Sequence, residues 1–216
     1  MLIQLDFSAV LAAWPLLVRG VAWTIGLTIV GTVLGLLLGT ACAWARARNL
    51  GHRPAALRWV RNTPFIVQLF FLFFGLPAMG VKLTPELASV LAMVINLGAY
   101  SAEIIRAGIE ATPRGQIEAA QSLALTPGQT FRRVVLPPAL LKVWPAMVSQ
   151  IIIVMLGSAV CGQISTPELS YAANLISSNT FRAFEAFILA TAVYLALSML
   201  TRRLLMWAGA RFLVGR

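Results

Sequence analysis

Residues 20–45 form a run of 26 without a single charge. As a helix the run is about 39 Å long at 1.5 Å per residue, longer than the roughly 30 Å of hydrocarbon in a bilayer. At that depth no water satisfies backbone N–H and C=O groups, so an isolated apolar segment of this length must bond internally, as a helix. The same reading gives further spans at about 62–81, 86–105, 143–162 and 183–201. Residues 7–18 are apolar too, but only 12 long and bounded by Asp6 and Arg19, which predicts a helix in the membrane interface with Trp14 at that depth. The expected fold is therefore all-α and integral to the membrane, a single domain over 1–216 with five transmembrane helices.

Composition agrees, with 59% hydrophobic and 11% charged residues and a mean hydropathy of +0.85, against about 25% charged in soluble domains. A formal net charge of +10 would suggest nucleic acid in a soluble chain, but here placement decides. Arg19, Lys82 and Arg182 fall on one side of the predicted spans, and the other 14 of the 17 Lys and Arg fall on the opposite side. Positive residues collect in cytoplasmic loops, which puts the amino terminus outside and the carboxyl terminus inside. The partner this charge implies is the lipid bilayer, not nucleic acid. No Lys or Arg precedes the first apolar stretch, so it does not read as a secretory signal, and the mature chain is expected to begin near Met1. Cys42 and Cys161 fall near opposite ends of their spans and are expected to be free thiols.

The longest structured interruption is 116–138, QIEAAQSLALTPGQTFRRVVLPP. Its first part is rich in strong helix formers. Thr126 then stands as an N-cap with Pro127 at the first helical position and Gln129 three residues on, the pattern of a capping box. Two short helices joined near Ala124 follow, within a stretch at about 113–138. Small residues on the first leave room for another protein, and Arg132 and Arg133 on the second place charge beside it. By the charge count this docking surface faces the cytosol. Five Thr-Pro steps, at Thr63, Thr84, Thr112, Thr126 and Thr166, read as helix starts, with a short surface helix and turn over 171–182. Gly26, Gly31, Gly35 and Gly39 lie near one face of span one, and packing within the chain is preferred over a dimer seam.

The residue inventory speaks against catalysis. The chain has one histidine, His52, in a basic loop that also holds Arg46, Arg48, Arg53, Arg58 and Arg61. A His-based nucleophile pair or a multi-His metal site inside the membrane is thus excluded. No Gly-rich phosphate loop ending in Lys-Ser or Lys-Thr occurs, so the chain binds no nucleotide cofactor of its own. Glu103, Arg106 and Glu110 have the spacing to pair along one helix face. They read either as a solvated helix end or as part of a gate, since an ionisable group at that depth is costly. Gln68, Asn96, Tyr100 and Ser101 are the other polar groups able to line a path, or equally to bond helices together.

Glu118-Ala119-Ala120 with Leu136-Pro137 at the matching distance, in a loop between spans three and four, resembles the EAA loop of the permease subunits of bacterial ABC importers. Three further runs are similar to the polar amino acid permeases, the histidine and glutamine type: 61–71 (RNTPFIVQLFF), 99–109 (AYSAEIIRAGI) and 113–120 (PRGQIEAA). Pro167-Glu168-Leu169 and 181–185 (FRAFE) fit as well.

The resemblance implies the type I importer fold, in the bacterial inner membrane with a periplasmic amino terminus. It implies a second permease subunit, two cytosolic ATPase subunits that hydrolyse the ATP with Mg, and a periplasmic solute-binding protein that delivers an amino acid. Glu118, Ala119, Ala120, Ala124, Arg132, Leu136 and Pro137 would contact the ATPase. The path would involve Gln68, Asn96, Tyr100, Ser101, Glu103, Gly157 and Ser158. Two positions depart from the family pattern. Ala124 replaces a usual Gly at the turn between the short helices, which predicts a turn built differently, because Ala tolerates positive φ poorly. Gly157 stands where an acidic or amide residue is frequent, which favours a heterodimer in which this chain contributes little to substrate binding. The competing readings are an ATP-independent carrier, usually built from paired repeats and without a cytosolic docking hairpin, and a structural membrane subunit.

Overall fold

A computed structural model describes residues 5–47 and 55–214, all of it helical or connecting turn. The basic-connector residues Arg48, His52 and Arg53, and Arg216 at the end, lie outside the described residues. Helices long and apolar enough to cross a membrane are Trp14–Ala45, Pro85–Glu110, Pro127–Ile164 and Ala183–Leu213. They contain α2 (Trp14–Ala47), α5 (Pro85–Glu110), α8 (Leu136–Cys161) and α10 (Ala183–Gly209), with α1 (Ser8–Ala12), α3 (Ala55–Arg61), α4 (Phe65–Phe70), α6 (Arg114–Ser122), α7 (Pro127–Thr130) and α9 (Leu169–Thr180) between and before them.

The close contact of α2 with α5 sets the arrangement. A Cβ added at Gly31 would lie 3.2 Å from the Met93 Cβ, one at Gly35 2.9 Å from the Leu97 Cβ, and one at Gly39 2.6 Å from the Ser101 Cβ. Both partners advance by four residues together, so the two helices run parallel. The chain between them must therefore return, and the apolar stretch Phe65–Met79 is the helix that does so. It is shorter than the span expected over 62–81. After α4 it widens into a π-helical turn, Phe71–Gly75, then tightens into a 3₁₀ turn, Leu76–Met79, and stops at Gly80 with φ +85°. α8 is antiparallel to α5, with Val143 against Gly108 and Met147 against Ser101, and α10 is antiparallel to α8, with Leu205 on Trp144 and Thr201 on Met155. The glycine stripe is thus used within the chain, except Gly26, which faces nothing within 4 Å.

Several boundaries differ from the sequence reading. The interfacial helix expected over 7–18 breaks at Ala13, and Trp14 already begins α2. Span four begins well before residue 143, because α7 passes through a π-helical turn, Phe131–Val135, directly into α8. Arg202 and Arg203 do not end the helix of span five: α10 continues to Gly209, since long exposed arginines reach polar surroundings without breaking the backbone. α9 is no surface helix: Leu169, Ala172, Ala173 and Ile176 are buried, with α2 and α10 packed on it.

Of the five Thr-Pro steps, two cap with the side chain: Thr84 accepts from the Leu87 N–H, and Thr126 from the Gln129 N–H. Thr63 instead donates back to the Trp59 and Val60 carbonyls, at 3.0 and 3.2 Å. Thr166 donates to the Pro85 carbonyl at 3.1 Å and shares a hydrogen bond with Ser89. The cap of α9 is the buried Glu168, which accepts from the Ser170 and Tyr171 N–H groups at 2.8 and 2.7 Å and from the Tyr194 hydroxyl. Beyond the opposite end of α9, Arg182 pairs with Asp6 and Glu185, while the Ser8 hydroxyl and N–H hold the Asp6 carboxyl below the usual carboxylate range. Cys42 and Cys161 are free thiols.

The α2–α5 contact gives a stability test. Gly39→Ala forces a methyl into Ser101 and the Gly98 carbonyl and is expected to cost about 1–3 kcal/mol, the usual penalty of overpacking. Gly26→Ala should cost nothing measurable. Thermal unfolding of the two variants in detergent checks the difference.

Candidate functional site

The sequence-predicted docking stretch forms a helical hairpin. α6 buries Ala120 and exposes Glu118 and Ala119, and it ends on a left-handed residue, Ala124, with φ +56°. The Ala124 N–H donates to the Gln121 carbonyl at 2.9 Å and the Leu125 N–H to the Ala120 carbonyl at 3.2 Å. That pair of bonds is the Schellman closure, usually made by glycine. The expectation of a different turn is therefore corrected: this backbone adopts the left-handed turn with alanine in it, because the two hydrogen bonds and the following cap fix it from both sides. The cap is a complete box, with the Thr126 N–H donating to Gln129 Oε1 at 3.0 Å. Leu123, at the tip, is 77% exposed, and Arg132 and Pro137 are exposed while Leu136 is half-buried. An exposed leucine beside small residues and arginines is a surface suited to another protein.

Directly above the hairpin, Arg106 pairs with Glu103 and Glu110 along α5, as the spacing predicts, and Arg61 of α3 pairs with Glu103 at 3.2 Å. The Tyr100 hydroxyl donates to the Arg61 carbonyl at 3.3 Å, and the Arg61 guanidinium lies 5.9 Å from the Tyr100 ring centre. Lys142 of α8 donates to the Ala111 carbonyl at 3.1 Å, which joins the two ends of the hairpin. The sequence reading did not assign a role to Arg61 or Lys142. A basic residue before a Thr-Pro bend was visible; which carboxylate it reaches was not.

The proposed path residues divide by what they bond. Gln68 donates to the Val60 and Thr63 carbonyls at 2.6 and 3.0 Å and accepts from the Asn96 amide at 3.2 Å. Ser101 and Ser158 are fully buried and donate to Met147 Sδ at 3.5 Å and to the Met155 carbonyl at 2.6 Å. Gly157 has open surroundings, a Cβ there lying 3.9 Å from the Phe65 ring. Asn96, Tyr100 and Glu103 share one face of α5 at spacings of four and three, turned toward α3 and α4. A groove of about 550 Å³ beside Gln68 is lined by Trp59, Val60, Val67 and Phe71.

The family model for the binding-protein-dependent transport system inner membrane component matches residues 56–213, from α3 to the end of the last helix. The chain belongs to this family. It is a multi-pass permease of the inner membrane. Among curated relatives it is 33% identical to the glutamine transport system permease protein GlnP of Escherichia coli, over 93% of this chain and 96% of the relative. It is 38% identical to the L-cystine transport system permease protein TcyB of Bacillus subtilis, over 72% of this chain and 68% of the relative. A solved amino acid ABC transporter crystallised with histidines superposes with a TM-score of 0.88 at 32% identity, covering 97% of this permease and 100% of that chain. The MetNI methionine transporter in an inward-facing form shares the fold, with a TM-score of 0.69 at 24% identity, over 93% of the permease and 95% of that chain.

The permease's left-handed Ala124 can be tested. Ala124→Gly should slow hydrogen exchange across α6 and α7, because relief of about 1–2 kcal/mol of left-handed strain exceeds the roughly 0.5–1 kcal/mol that glycine loses in chain entropy. Ala124→Val should speed it. Exchange of the peptides covering 114–133, measured by mass spectrometry, reads both.

Proposed function

We propose that the permease is the transmembrane subunit of an ABC importer for an amino acid, driven by cytosolic ATPase subunits that dock on the α6–α7 hairpin and loaded by a periplasmic binding protein at the opposite end. The observation that carries the reading is the hairpin itself: a capped, exposed pair of short helices inserted between two membrane spans at the basic end of the bundle. A carrier without a soluble motor has no use for it. The charge asymmetry supports a cytosolic hairpin, a periplasmic amino terminus and a cytoplasmic carboxyl terminus. Relatives named for glutamine, arginine and L-cystine transport support an amino acid as substrate. ATP and Mg belong in this reading to the ATPase subunits, and the permease has no catalytic site.

The reading includes a second permease subunit, and a different one. Gly157 offers no charge to a substrate, and Ser158 is already bonded to its own helix, so the partner subunit would supply the groups that hold the amino acid's charged ends. A purified homodimer that transports an α-amino acid would overturn this part.

Docking is tested by Glu118→Lys in the assembly reconstituted with ATPase and binding protein. The variant is expected to lose stimulated ATP hydrolysis by a factor of ten or more, the effect of about 1.4 kcal/mol or more lost in coupling, while remaining folded in the membrane. Unchanged stimulation would remove the hairpin from the mechanism and reopen the carrier reading.

A further inference from the structure

We propose that Glu103 is a positioning residue that ties the corner before the short span, at Arg61, to the end of α5 leading into the docking hairpin, so that movement of the hairpin is passed to Phe65–Met79. The inference rests on the coupling reading above and adds the route by which the motion travels inside the permease.

The hairpin end is built first. Glu110 is the last residue of α5, and only 111–113 separate it from α6. Arg106 holds Glu110 and Glu103 at once, which stiffens the last two turns of α5. Lys142, about three turns beyond the second hairpin helix at 3.6 residues per turn and continuous with it, donates to the Ala111 carbonyl. Both limbs of the hairpin thus end on one point of the bundle. A push on α6 or α7 arrives at the lower part of α5.

From that ion-pair stripe Glu103 reaches across to another element, its carboxylate lying 3.2 Å from the Arg61 guanidinium of α3. Arg61 ends α3, and residues 62–64 form the corner from which α4 departs. Tyr100, one turn from Glu103 on the same face, grips the same corner by its bond to the Arg61 carbonyl and its ring under the guanidinium. On the inside of the corner, Gln68 of α4 bonds the Val60 and Thr63 carbonyls and is itself held by Asn96 of α5. The corner and the first turn of the short span are thus tied to α5 at three points, of which the Arg61–Glu103 pair is the one nearest the hairpin end.

The strength of the pair suits a link that makes and breaks. The Arg61 and Glu103 side chains are 33% and 26% exposed, and a partly exposed pair is weak enough to open within a transport cycle, unlike a buried one whose broken partner is stranded without solvent. A merely solvated helix end would carry the same charges and have no effect on coupling.

The test uses the complete transporter in proteoliposomes, with its binding protein loaded from a mixture of the twenty L-amino acids as probe. Two quantities are measured: co-purification of the ATPase and the stimulation of ATP hydrolysis by the loaded binding protein. Glu103→Gln and Arg61→Met are expected to keep the ATPase bound and to lose stimulation by about fivefold or more, the lower range of coupling between sites. Glu103→Asp and Arg61→Lys, which keep the charges, should restore most of it. Normal stimulation in both neutral variants would overturn the proposal, as would loss of the ATPase from both, which would make the pair part of the docking surface. A wild type that fails to hold the ATPase would instead overturn the coupling reading. If Glu103→Gln fails to fold, Arg61→Met, which leaves the Arg106 pairs on α5 intact, decides alone: normal stimulation in it overturns the proposal.

Discussion

The rest of the structure depends on how closely α2 lies on α5. Between helices in lipid there is no hydrophobic drive, so association relies on packing and on the backbones' approach. Gly31, Gly35 and Gly39 allow that approach against Met93, Leu97 and Ser101. Because the two helices are parallel, the chain must cross back between them, and that return is the short, irregular helix Phe65–Met79. α5 is then committed on two sides, to α2 and to α8. Its remaining face, with Asn96, Tyr100 and Glu103, meets the corner where the return helix begins. The same packing that holds the bundle together delivers the polar face of α5 to the short return helix.

The sequence made the large features legible because they follow from solvent. Length without charge marks a span, and the capping box from Thr126 to Gln129 marks a helix start that the structure contains. What was not legible depended on partners distant in sequence. Glu168 was visible as an acidic residue after Thr-Pro, but its burial under Tyr194, and with it the burial of α9, comes from contacts 26 residues away. Arg202 and Arg203 looked like a stop because local composition does not show how far a long side chain reaches. Thr63 resembled Thr84 in every local respect, yet the helix of 55–61 supplied carbonyls for its hydroxyl that Thr84 does not have.

Ala124 illustrates the opposite lesson. The residue argues against a left-handed turn, and the turn forms nonetheless. The cost of one strained residue is about 1–2 kcal/mol, and two closing hydrogen bonds, a cap and continuity with α8 outweigh it. A hairpin fixed in this way at its tip suits the proposed docking of an ATPase. The ion pairs above it are partly exposed, so the proposed route from the hairpin to the corner at Arg61 joins a well-fixed turn to pairs of modest strength.

The central claim is that the hairpin lies in the cytosol and is covered by an ATPase. It is tested most directly by labelling Leu123→Cys with a membrane-impermeant maleimide, in a permease whose Cys42 and Cys161 are replaced by alanine. Labelling is expected in inside-out vesicles and not in right-side-out ones, with protection when the ATPase subunits are bound. Labelling from the outside, or equal labelling with and without the ATPase, would contradict it.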